Sequence, residues 1–130
     1  MLLVEDNDLN AEIAATILEG DGAYVSIVGD GAQAVEAFAA NRAGTFDAIL
    51  MDVAMPKMDG LAATRAIRAL DRPDAASIPI IAMTGNAFQE DVRECLEAGM
   101  NAHIAKPIDA AKAERVIAKA MGRRENSVQQ

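Results

Sequence analysis

A chain of 130 residues, 52% of them apolar, suits a single domain with its own core and is too short for two comfortable ones. The net charge of −8 is unevenly spread: residues 1–60 hold 11 acidic and 2 basic side chains, whereas residues 61–130 hold 9 and 10. That balance argues against direct nucleic-acid binding, which needs a basic face, and no apolar run approaches the roughly 20 residues of a membrane helix.

The opening run Met1-Leu2-Leu3-Val4 meets Glu5 at once and is no secretory signal. The single cysteine, Cys95, excludes an internal disulfide, fits a reducing cytoplasm and reads as a small buried apolar side chain. Leu2 to Val4 predicts a first strand, ended by the adjacent carboxylates of Glu5 and Asp6. Leu9, Ile13 and Ile17, with Ala14 and Leu18, recur at helical spacing until Gly20 and Gly22. Ala23 to Val28 is apolar and β-branched enough for a second strand, and Asp30 with Gln33 forms a capping-box pattern for a second helix with Val35, Phe38 and Ala39 inside. Asn41 to Thr45 reads as a loop.

The stretch Phe46 to Gly60 organises the rest. Ala48 to Met51 has the composition of a strand buried on both faces, and Asp52 follows directly, a costly place for a charge unless it is exposed or paired. Pro56 fixes φ and Gly60 permits positive φ, which predicts a turn. Leu61, Ala63, Ile67 and Leu70 then mark a third helix, closed by Asp71 to Asp74. Ser77 to Thr84 reads as a fourth strand with Pro79 at its entry, and Asn86 with Gln89 caps a fourth helix with Phe88, Val92 and Leu96 inside, ending at Gly99. Ala102 to Ala105 is a brief fifth strand. Asp109 caps a last helix with Ala113, Val116, Ile117, Ala120 and Met121 inside, and Glu125 to Gln130 has no pattern. Residues 1–122 thus form the domain and 123–130 a frayed tail or linker remnant.

Strand then helix, five times over, predicts a doubly wound α/β domain: a five-stranded parallel sheet, most simply of flavodoxin-like order 2-1-3-4-5, with helices on both faces. Four strands of such a sheet end in groups able to handle phosphate or a metal: Glu5 and Asp6, Asp52, Thr84, and Lys106. Three carboxylates brought together repel one another unless a cation is present, and hard oxygens in that number suit Mg²⁺. With a lysine ammonium and a threonine hydroxyl beside it, Asp52 is arranged to accept a phosphoryl group as an acyl phosphate, which water later hydrolyses.

Leu2-Leu3-Val4-Glu5-Asp6-Asn7, the run Asp52-x-x-Met55-Pro56-x-Met58-Asp59-Gly60, Met83-Thr84-Gly85 and Lys106-Pro107, in this order and at these spacings, resemble the response-regulator receiver domains of two-component phosphorelays over essentially the whole chain. The resemblance implies that Asp52 is the phosphoacceptor and that Glu5, Asp6, Asp52 and the backbone carbonyl of Ala54 organise the Mg²⁺ site. It also implies a cis peptide before Pro107. Thr84 then acts as a switch together with His103, which stands where the family carries an aromatic residue; histidine is smaller and titrates. Phosphorylation would remodel the face of the fourth helix, fifth strand and fifth helix. Ala54 and Asn86 stand where the family tunes the lifetime of the phosphoryl group.

Such a domain catalyses its own phosphorylation and slow dephosphorylation without being a conventional enzyme. The implied donor is a histidine kinase or a histidine phosphotransfer protein, with Mg²⁺ as cofactor and no membrane insertion of this domain. The opening Glu5 to Asn10 and the approach Gly99 to His103 look most like receivers attached to hybrid sensor histidine kinases, so a cytoplasmic location is expected, including the cytoplasmic portion of a membrane-bound kinase. Met1 falls where the family has a residue or two of strand already formed, which suggests an excised domain with a replaced or added start; a stand-alone regulator is the alternative. Two competing readings are a receiver-like interaction module that takes no phosphate and a Mg²⁺-dependent aspartyl-phosphate phosphatase. Phosphatases resembling the haloacid dehalogenases place a second Asp two residues after the nucleophile, and here that residue is Ala54. Cognate kinase, output and oligomeric state are not encoded in any motif.

Overall fold

The apolar runs at Leu2–Val4 (β1), Ile49–Asp52 (β3) and Ile80–Thr84 (β4) are buried along their whole length, as strands covered on both faces must be. The computed structural model describes residues 1–121 apart from 21, 23, 54–58, 85–88, 106 and 107. Together with Ser26–Val28 (β2) and Ala102–Ala105 (β5), these runs form one five-stranded parallel sheet of order β2-β1-β3-β4-β5, the predicted topology. The helices are Asp8–Gly20 (α1), Gly31–Ala40 (α2), Gly60–Arg68 (α3), Gln89–Ala98 (α4) and Ala110–Ala120 (α5).

Strand side chains alternate between two cores. Leu2, Val4, Ile49, Met51, Ile80 and Ala82 pack with Ala34 and Phe38 of α2, Ala63 and Ile67 of α3, and Cys95 of α4. Leu3, Leu50, Ile81, Met83 and Ile104 pack on the other face with Ala11, Ala14, Ala15 and Leu18 of α1 and with Ala113 and Ile117 of α5. Cys95 is therefore the buried apolar residue expected of it.

Asp30 and Asp109 cap their helices as expected, and Asp59, not expected as a cap, does the same for α3. Each accepts a hydrogen bond from the backbone N–H three residues on, Asp30 and Asp59 at 2.8 Å and Asp109 at 3.1 Å. Gln33 answers Asp30 by accepting from the N–H of Gly29 at 3.0 Å. Gly99 ends α4 at φ +112, with its own N–H on the Leu96 carbonyl and that of Met100 on Cys95, the paired bonds of a Schellman motif.

Several expected inward faces are different in the fold. Leu9 and Ile13 are 63% and 47% exposed, because α1 turns its alanines and Leu18 to the sheet and leaves the Leu9 row outside. Leu96 is 53% exposed, and Ala39 also faces solvent. Phe88, Asn86 and the side chain of Val92 lie outside the described residues, as do residues 122–130. The second strand is shorter than expected and forms an edge, and the fourth begins at Ile80 because Ile78 is turned back onto the Asp74 carbonyl.

Gly60 also differs from its expected role. Its φ is not positive; it is the first residue of α3, and the need for glycine is spatial. A Cβ there would run into the carbonyl oxygen of Asp52 and lie 2.9 Å from Val53 Cα and 3.0 Å from Met51 Cγ. The N–H of Gly60 meanwhile donates to the Val53 carbonyl at 3.0 Å, so α3 starts hard against the end of β3.

On the same face, Arg72 ties the chain between α3 and β4 to α2. Its guanidinium donates to the carbonyl of Phe38, lies 4.2 Å over that residue's ring and pairs with Asp74 at 2.7 Å. Asp74 in turn accepts from the N–H of Gly44 at 3.2 Å. The hydrogen bond from Arg72 holds the Asp74 carboxyl below its ordinary value.

Overpacking of this kind costs about 1–3 kcal/mol, against a helix-propensity gain for alanine of at most about 1 kcal/mol. Urea unfolding of Gly60→Ala should therefore show a lowered midpoint, and an unchanged one would mean that the α3–β3 contact relaxes freely. Because the Asp74 pKa is depressed on folding, its contribution is complete above the ordinary carboxylate range and fades as pH falls through the lowered value. The stability gap between the wild type and Asp74→Asn should thus be widest near neutral pH and close in acid; a gap independent of pH would contradict this.

Candidate functional site

The register of the parallel strands sets the height of each candidate side chain. Val4 lies opposite Met51, so Glu5 and Asp52 follow on neighbouring strands at the same level. Asp52 lies opposite Met83, one residue before Thr84 at the end of β4. Backbone bonds extend the sheet into this rim: the N–H of Glu5 donates to Val28 at 3.1 Å and that of Val53 to Met83 at 3.2 Å.

Carboxylate oxygens of Glu5, Asp6 and Asp52 lie within 4.8 Å of one another. Glu5 and Asp52 are 4% and 2% exposed, while Asp6 faces solvent. Asp52 is thus at the carboxyl end of a central strand, as the sequence predicts, but enclosed rather than open. Buried anionic oxygens gathered this closely fit a small hard cation, and the set of three carboxylates is the kind of donor group that Mg²⁺ accepts. Thr84 is buried too, and its Oγ1 has no hydrogen-bond partner among the described residues. A buried hydroxyl left in that condition costs about 1–3 kcal/mol, which makes it a donor waiting for an acceptor.

His103 is half-buried on β5, opposite Ala82 and therefore on the face of the sheet that carries α4. The Ala54 carbonyl, Lys106 and the peptide before Pro107 lie outside the described residues. Lys106 follows Ala105, the register partner of Thr84.

Asn7 is a positioning residue that the sequence reading passed over. Its side chain accepts from the N–H of Asn10 at 2.9 Å and caps α1, while its own N–H donates to Glu5 Oε2 at 3.2 Å. A single residue thereby starts the helix and holds a carboxylate of the cluster. The signal was present, since an Asn directly before a helical pattern is a common cap.

Comparison with known proteins bears on this geometry. The response regulator receiver domain family matches residues 1–118. The sensor protein GacS of Pseudomonas syringae pv. syringae is 40% identical over 94% of the chain, and hybrid signal transduction histidine kinase L of Dictyostelium discoideum is 38% identical over 92%. The chain spans only 13% and 7% of those two proteins. Among solved structures, the receiver domain of a sensor histidine kinase from Pseudomonas aeruginosa, with a magnesium ion coordinated in its active-site cleft, is 44% identical with a TM-score of 0.82, covering 93% of this chain and 95% of that one. The signal receiver domain of a histidine kinase from Syntrophus aciditrophicus is 33% identical with a TM-score of 0.79, over 93% and 88% of the two chains. With the acidic cluster at the rim of a sheet of the same order, these matches establish that the chain belongs to the response regulator receiver domain family of two-component signalling.

Proposed function

We propose that Asp52 accepts a phosphoryl group from a phosphohistidine in a phosphorelay, and that Glu5, Asp6 and Asp52 bind the Mg²⁺ that this transfer needs. The observation that carries the reading is the convergence, at the ends of β1, β3 and β4, of three carboxylates within 4.8 Å and a buried hydroxyl that has no partner among the described residues. An Asp52 oxygen attacks phosphorus, the P–N bond to the imidazole breaks with its electron pair left on nitrogen, and an acyl phosphate remains. Glu5, Asp6 and Asp52, with the Ala54 carbonyl, would hold Mg²⁺, which would supply positive charge against the transferred oxygens. Lys106 adds a second cation, and the Thr84 hydroxyl donates to a phosphoryl oxygen. Water later attacks phosphorus, the P–O bond to Asp52 breaks with its electron pair left on the carboxylate, and inorganic phosphate leaves.

Thr84 drawn toward the phosphoryl group shifts the end of β4, and His103 on the adjacent strand follows, remodelling the face of α4, β5 and α5. The domain works on the cytoplasmic side; among its described residues no helix is long and apolar enough to cross a membrane. A donor protein has to bring its imidazole to an aspartate that is only 2% exposed. The exposed Leu9 and Ile13 support a docking surface for it, because α1 begins two residues after Asp6 and exposed apolar residues beside a site mark interaction surfaces. The donor is read as a histidine kinase or a histidine phosphotransfer protein.

Incubation with acetyl phosphate and Mg²⁺ should add the mass of one phosphate, and Asp52→Asn should abolish the addition; undiminished labelling of the variant would sink the assignment. Replacing Leu9 and Ile13 together by Asp should slow transfer from a phosphohistidine protein at least tenfold (roughly 1.4 kcal/mol) while labelling by acetyl phosphate proceeds at the wild-type rate. Equal slowing with both donors would place those residues in the chemistry or the fold rather than in docking.

A further inference from the structure

The two ends of β4 are in opposite conditions. At its carboxyl end Thr84 has a buried hydroxyl without a partner among the described residues. At its amino end a dense set of hydrogen bonds converges on Arg68, the last residue of α3. The Arg68 guanidinium donates from Nε and Nη2 to the Gly99 carbonyl at 3.0 and 2.8 Å, from Nη1 to the Ala75 carbonyl at 3.0 Å, and from Nη2 to Asn101 Oδ1 at 2.9 Å. Asn101 Oδ1 also accepts from the N–H of Ile80 at 2.8 Å, and the Asn101 N–H returns a bond to the Ile80 carbonyl at 2.8 Å. One planar side chain therefore joins the end of α3, the segment before β4, the end of α4 and the approach to β5.

Gly99 is what lets this happen. It adopts φ +112 to close α4, and a Cβ on it would fall 3.1 Å from Arg68 Cγ, so the stem of the arginine lies across the bare glycine. All four of these acceptor contacts are neutral oxygens, and a half-buried cation held by neutral oxygens is a poor device for stability alone. What a guanidinium supplies, and an apolar side chain cannot, is several donors fixed in one plane.

We propose that Arg68 is the fixed pivot of α4. It pins the Gly99 end of the helix to α3 and to the start of β4, so that a displacement beginning at Thr84 moves the amino end of α4 and dies out before Gly99. The proposal rests on the reading that the Asp52 site takes a phosphoryl group. Arg68 acts through Gly99 and Asn101 and is a positioning residue.

The test uses the whole chain, with beryllofluoride and Mg²⁺ as the phosphate mimic and amide NMR with hydrogen exchange as the readout. In the wild type, shift changes should be large at Thr84 and early in α4 and absent at Gly99, Met100, Asn101 and Ile80. In Arg68→Ala they should spread to those four residues, and exchange at Ile80 and Met100 in the free protein should rise at least tenfold while amides of β1 and β3 keep their wild-type rates. Arg68→Lys, which keeps charge and stem but not the planar fork, should behave like Arg68→Ala. If Arg68→Ala does not fold, Asn101→Ala removes the acceptor shared by Arg68 and Ile80 and should give the same spread. Changes at Gly99 to Asn101 as large as those at Thr84 in the wild type would overturn the pivot, as would an Arg68→Ala protein with wild-type shifts and exchange. A wild type with no response to beryllofluoride would overturn the phosphoacceptor reading and the pivot with it, whereas a response without the spread in the variant would overturn the pivot alone.

Discussion

Burying two carboxylates side by side is the constraint on which this structure turns. Glu5 and Asp52 are almost fully enclosed, with Asp6 completing the cluster from the solvent side. Charge removed from water in this way is tolerated only when opposite charge or hydrogen-bond donors answer it. The parallel sheet makes the arrangement possible, because neighbouring strands all point their carboxyl ends, and whatever residue follows, to one rim. The register of β1, β3 and β4 then brings Glu5 and Asp52 to one level with Thr84 one residue beyond, and Asn7 holds Glu5 while starting α1. Gly60 belongs to the same economy of space: α3 begins so close to the end of β3 that the backbone carrying Asp52 leaves no room for a side chain.

The two faces of the sheet are built differently. Beneath α1 and α5 the helical contribution is mostly alanine with Leu18 and Ile117, and α1 keeps larger apolar residues for its outer surface. On the face of α2, α3 and α4 the loops are tied by arginines: Arg72 answers the Phe38 carbonyl and Asp74, and Arg68 answers Gly99, Ala75 and Asn101. Both arginines lie at the end of the sheet away from the acidic cluster. The start of β4 and the approach to β5 are therefore braced, while the carboxyl ends of β1, β3 and β4 carry the carboxylates and the Thr84 hydroxyl.

This division suits a switch. On the proposed reading, a phosphoryl group at Asp52 would offer the Thr84 hydroxyl, which has no partner among the described residues, an acceptor, and the free-energy gain from that bond would be available to move whatever is not braced. On that reading, the burial of Asp52 would also limit who can deliver the group: a small donor would diffuse in, whereas a protein donor would first have to be held against the surface around α1.

The sequence by itself determined the order of elements, the helix caps at Asp30 and Asp109, the α4 stop at Gly99 and the candidate residues of the rim. Each of these is a local matter: an apolar run long enough for a buried strand, a short acidic side chain three residues before a free N–H, a glycine able to adopt positive φ, or an acid directly after a strand. Tertiary structure alone decided which row of α1 faces the sheet, because residues 9, 13 and 17 and residues 11, 14, 15 and 18 are both apolar and only the neighbouring elements choose between them. The same holds for Leu96 and Ala39, which sit at plausible inward spacings yet face solvent. Gly60 looked like a turn residue and proved to be a spacer, since what it avoids is the backbone of Asp52, eight positions earlier in the chain. The partners of Arg68 are 7 to 33 residues away, and no periodicity or cap pattern encodes a contact over that distance. Local rules set what each segment becomes; packing sets what it meets.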